Sequence, residues 1–127
     1  MAIRRTVITA SPSAGGSGAS TATASSNGPV DGEIIAVHLN YLDSPPGATT
    51  DVTLVETGVT PAQTILTVSN AATSGWFYPM AQAKNQAAAD ITGMGRPIRV
   101  SANVALTIAQ ADDGDGVTAT IVWDDLK

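Results

Sequence analysis

The chain contains no cysteine, one histidine and one phenylalanine, and aromatic residues make up only 4% of its 127 positions. Without thiols there is neither a disulfide framework nor a thiolate metal site, and the redox compartment is left open. With so few rings, a core has to be assembled from Val, Ile, Leu and Ala, and the abundance of Val, Ile and Thr directs it towards strands. No uninterrupted apolar run approaches the roughly 18 to 20 residues of a membrane-crossing helix, so no membrane partner is expected. The opening MAIRR is followed by polar residues rather than by the apolar stretch of about 7 to 15 residues that a secretory signal carries. Synthesis in the cytoplasm without Sec export is the expectation.

Charge is also scarce, at 13% of residues, and unevenly placed. The formal net charge is −5, but Arg4 and Arg5 lie near the start, and residues 30–127 hold four basic against eleven acidic side chains, or −7. An acidic body argues against nucleic acid, whose phosphates require a basic face.

Residues Ser11 to Pro29 read SPSAGGSGASTATASSNGP and separate a strand-like head, AIRRTVITA, from the rest. Small residues bury too little apolar surface to offset backbone entropy of roughly 1 to 2 kcal/mol per residue. The stretch therefore reads as a flexible linker, with an r.m.s. span of roughly 25 Å as a coil. Fully stretched it reaches roughly 65 Å. Residues 1–29 are expected to form an N-terminal arm whose head adds as a strand to a neighbouring subunit, and whose removal leaves the body's stability unchanged. A frayed terminus is the plain alternative. Residues 30–127 are expected to form one domain with a modest core.

That body alternates apolar and polar residues between dense turn signals, as antiparallel sandwiches do. In Glu33 to Leu42 the odd positions Ile35, Val37, Leu39 and Tyr41 are expected to face the core. Asp51 to Thr57, Gln63 to Asn70, Arg96 to Ala102, Val104 to Gln110 and Val117 to Asp124 read as further strands. The turn-forming DSPPGATT separates the first two. KNQAAADIT, residues 84 to 92, carries the one local helical preference, as a marginal helix or a loop with a helical turn. The connector ADDGDG predicts a hairpin between the last two strands. With the head counted, the pattern gives about seven to eight strands. It fits an all-β, antiparallel two-layer β-sandwich, jelly-roll or immunoglobulin-like.

Catalytic chemistry is hard to assemble from these residues. His38 sits opposite Ile35 and Leu39 on its strand, which does not favour a nucleophilic triad. The acids lie mostly in turns, among them Asp43 and Asp90, which does not suit the paired carboxylates of sugar hydrolysis. Asp112, Asp113 and Asp115 place oxygens at spacing that suits calcium, but the loop lacks the later ligands of an EF-hand, and a plain turn is the stronger reading. Gly15, Gly16 and Gly18 have no strand leading into them and no helix after them, so they are not a phosphate loop. No cofactor is expected.

Trp76, Phe77 and Tyr78 stand in a row. Three successive side chains cannot share one face of a strand. Either Trp76 and Tyr78 enter the core with Phe77 under a loop, or at least one ring faces outward as a contact anchor. A sugar-stacking platform is a further possibility. With the head residues Ile3, Arg4, Arg5, Val7 and Ile8, these rings form the candidate interface set.

The stretches YLDSPPGATTDVTL, VSNAATSGWFYP and VALTIAQADDGDGVTATI resemble small proteins encoded among the structural genes of tailed bacteriophages, over roughly residues 30 to 125. The resemblance implies a virion component, namely a capsid decoration (cement) protein of β-sandwich type on the outer surface of the head. Its implied partners are the major capsid protein and neighbouring copies of itself, as a homo-oligomer on the particle. No catalytic residue is carried over. The alternatives are a carbohydrate-binding or host-adhesion module stacking sugars on Trp76 and Tyr78, and a head-completion or tail component.

Overall fold

The computed structural model describes residues 2–11, 16–42, 46–70 and 73–127. Parts of the expected linker (12–15) and of the expected turn (43–45, with Asp43 and Pro45) lie outside the described residues. Among the described residues ten strands follow one another: β1 (Ile3–Ala10), β2 (Ser20–Ser25), β3 (Val30–Tyr41), β4 (Asp51–Thr57), β5 (Thr64–Val68), β6 (Gly75–Phe77), β7 (Met80–Lys84), β8 (Asp90–Pro97), β9 (Arg99–Ala111) and β10 (Val117–Asp124).

All pairings are antiparallel, and the strands build a β-sandwich. One layer runs β1-β10-β3-β6 and the other β2-β9-β4-β5. The layers join at a corner where the start of β3, Val30–Glu33, pairs with the start of β9, Arg99–Ala102. Between them lie Leu39, Val37, Ile34 and Ile121 from the first layer and Val52, Leu54, Leu106 and Ile108 from the second. The core is aliphatic, as a chain poor in rings requires.

The head is a strand, but it pairs within its own chain. β1 lies along the whole of β10, from Ile3 opposite Asp124 to Ala10 opposite Val117. Ile8 and Ala10 are buried in the core, and the Trp123 indole Nε1 donates to Thr6 Oγ1 at 3.0 Å. Burying Ile8 alone contributes about 1.5 to 3 kcal/mol, which a free arm forgoes. The linker expectation is corrected as well, because its second half is β2. STATAS alternates, Ala22 and Ala24 packing against the core while Thr21 and Thr23 face outward. Pairing with β9 supplies the backbone partners that composition alone does not reveal.

Three further expectations change. Arg96–Ala102 and Val104–Gln110 belong largely to one strand, β9, which leaves one layer and enters the other near Asn103. The ADDGDG connector is not a hairpin turn, because β10 pairs with β3 and β1 rather than with β9. It arches from one layer to the other. In β3, Ile35 is not a core residue: the register against β10 skips it, with Ala36 opposite Val122 and Ile34 opposite Trp123. This bulge reverses the alternation, so Ile34 is buried and Ile35 is 43% exposed.

Residues 84 to 92 form the tip of the β7–β8 hairpin rather than a helix. The Asn85 side-chain oxygen accepts the N–H groups of Ala87 (2.9 Å) and Ala89 (3.1 Å), an Asx-type turn that outcompetes the short alanine run. In β3, Gly32 is required by close approach. A Cβ there would stand 1.8 Å from the backbone oxygen of Asp124.

Candidate functional site

The register aligns side chains across the first layer. Val7 is opposite Thr120, Thr120 opposite His38, and His38 opposite Trp76, so these four share the outer face of β1-β10-β3-β6. The neighbouring row, Thr6, Ile121, Val37 and Phe77, points into the core. This parity decides the fate of the aromatic triplet. Phe77 packs against the core, whereas Trp76 is 48% and Tyr78 68% exposed. The reading that placed Trp76 and Tyr78 in the core is thus corrected. Trp76 meets the His38 ring edge-on, with centroids 4.9 Å apart.

The bulge at Ile35 extends this surface. Ile35, Tyr78, Pro79, Met80 and Pro97, with Glu33 and Ile34, line a shallow groove of about 220 Å³ beside the β7–β8 hairpin. Met80 and Met94 are both exposed on that hairpin. On β1, Ile3, Arg5 and Val7 are exposed, while Ile8 is core. Arg4 is turned to the end of the sandwich, where its Nε donates to Asp125 Oδ2 at 2.7 Å. Of the interface set, Ile3, Arg5, Val7, Trp76 and Tyr78 are therefore exposed on this side; Ile8 and Phe77 serve packing, and Arg4 serves the chain end.

The opposite layer presents a different surface. Thr23, Thr107, Thr53 and Thr67 stand in one row across β2, β9, β4 and β5, and the hydroxyls of Thr23 and Thr107 are 2.9 Å apart. One outer face thus carries rings and large aliphatic groups beside Thr9, Thr118 and Thr120, and the other a row of four threonines.

The carboxylates act as fasteners. Asp115 is 1% exposed, and its Oδ2 accepts the N–H groups of Gly47 (3.0 Å) and Asp112 (2.9 Å). Asp112 Oδ1 accepts Ser17 Oγ at 2.9 Å and the Gly18 N–H at 2.8 Å. Asp113 Oδ1 accepts the Ser20 hydroxyl and the Gly16 N–H, and these hydrogen bonds, the hydroxyl first, hold its carboxyl below the usual range. Glycines that read as linker are where the backbone offers bare N–H groups to these acids. Only the arch of the chain brings residues 16–20 to residues 112–113, so no local signal could have announced it. Among the described residues, no cluster of three or more His, Asp or Glu is placed to hold a metal ion.

Tyr41 is buried in the core, and burial, then the Asp51 carboxylate, push its phenol pKa up. Comparison of the chain with protein-family models, with curated proteins and with solved structures finds no match.

Proposed function

We propose that the chain is a non-catalytic structural protein of a tailed-phage virion, a capsid decoration protein that docks on the outer surface of the head. The docking surface in this reading is the outer face of β1-β10-β3-β6, and the partners are the major capsid protein and neighbouring copies. One observation carries it: Val7, His38 and Trp76 aligned on a single face, with Tyr78 beside them, opposite a layer faced with threonines. Exposed aromatic and aliphatic groups gathered on one side suit a contact surface, and a hydroxyl-rich side suits solvent. Because β1 closes on its own chain, attachment is through a sheet face and its edge rather than through a free arm.

A second reading rests on the same rings. Trp76 and Tyr78, exposed beside the His38 imidazole, could stack a sugar, which would make the chain a carbohydrate-binding or host-adhesion module. Quantitative mass spectrometry of purified virions tests the choice. A copy number close to that of the lattice subunit supports decoration. A copy number limited to one ring supports a head-completion or tail part, and absence from the particle rejects both virion roles.

A further inference from the structure

β1 ends its sheet, and its backbone polarity can be read from the hydrogen bonds at its start. The Asp125 N–H donates to the Ala2 carbonyl at 3.0 Å, which makes that pair a hydrogen-bonded one. Hydrogen-bonded and non-bonded pairs alternate along an antiparallel ladder. Arg4, Thr6, Ile8 and Ala10 therefore exchange backbone bonds with β10, and the N–H and C=O groups of Ile3, Arg5, Val7 and Thr9 point away from it. On that side Arg5, Thr6 and Val7 form one wall of a groove of about 270 Å³, and Asn27, Gly28 and Pro29 form the other.

We propose that this free edge of β1 captures an extended, acidic segment of a partner polypeptide, which adds as a further strand in that groove with a carboxylate against Arg5. The inference rests on the docking-face reading and names the chemistry of the partner. Unpaired backbone groups at every second residue supply the affinity of strand addition. Charge selects the occupant. The only charged side chains of β1 are Arg4 and Arg5, and Arg4 is engaged by Asp125 while Arg5 makes no ion pair among the described residues. A second copy of β1 carries no carboxylate, so in any register it leaves Arg5 without a partner of opposite charge. The edge strands β2, β5 and β6 carry no charged side chain and offer no such selection.

The test uses the full, isotope-labelled chain and a capped eight-residue peptide of alternating Thr and Val with one central Glu, against the same peptide with Lys. Hydrogen exchange at the Arg5, Val7 and Thr9 amides should slow on adding the Glu peptide, and the Lys peptide should bind about fivefold more weakly at low salt. Val7→Pro removes an outward donor but no bond to β10, so it should keep the thermal midpoint and weaken capture about tenfold. Arg5→Glu should reverse the preference between the peptides, which keeps the proposal falsifiable if the proline variant fails to fold. Trp76→Ala should not alter capture; loss of head binding in that variant with capture intact separates the face from the edge. Protection at β5 instead of β1, equal binding of both peptides, or self-association that protects the same amides without peptide would overturn the proposal.

Discussion

Asp125 and Arg4 join the two ends of the chain: the guanidinium Nε lies 2.7 Å from Asp125 Oδ2, and the other carboxylate oxygen accepts the N–H groups of Ala2 (2.9 Å) and Lys127 (3.1 Å). The Lys127 N–H, the Arg4 side chain and the Ala2 N–H together hold the Asp125 carboxyl at a pKa of about 2. A carboxylate whose pKa is depressed on folding stabilises the folded state above its unfolded value, near 4, and ceases to do so as pH falls towards 2. Thermal midpoints should therefore fall through that window. Asp125→Asn should melt lower than the parent at pH 7, and the difference should close as pH approaches 2.

Deleting residues 1–10 should destabilise the protein, because it uncovers β10 and removes Ile8 from the core. Loss of the Ile8 side chain and of the ladder predicts a cost of at least about 3 kcal/mol in urea denaturation. An unchanged midpoint would mean that β1 is not docked on its own chain in solution.

Asp115→Ala should cost about 1 to 3 kcal/mol for leaving the Gly47 and Asp112 amides without an acceptor. Chelation with EDTA should leave the parent's midpoint where it is, since Asp112, Asp113 and Asp115 each already accept two hydrogen bonds. A midpoint lowered by EDTA and restored by calcium would make the loop a cation site.

Gly32→Ala forces a methyl group against the Asp124 carbonyl, and the backbone must shift to admit it. We expect a loss of roughly 3 kcal/mol or more, or failure to fold. Gly75→Ala meets nothing within 4 Å and should be neutral. Paired chemical denaturation curves distinguish the two.

Residue alternation made most strands legible: Asp51 to Thr57 and Val117 to Asp124 stand where their period places them. Ile35 departs from the alternation because a bulge depends on the partner strand, and one residue of slip reverses a face. Ser20–Ser25 and the glycines before it read as linker because their partners, β9 and Asp112 to Asp113, are about ninety residues away in sequence. The same limit applies to the candidate face. Val7 and Trp76 both belong to the interface set read from the sequence, but only the β1-β10-β3-β6 order sets them in one row.

The docking face is tested most directly by measuring how tightly purified variants bind phage heads stripped of this chain. Trp76→Asp and Val7→Asp put charge on the proposed contact face, and Thr53→Asp and Thr67→Asp do the same on the threonine face, at exposed or half-buried positions throughout. The first pair should lose binding about tenfold or more, while the second should bind as the parent does. Binding that survives Trp76→Asp and Val7→Asp but fails with Thr53→Asp and Thr67→Asp would contradict docking through this face.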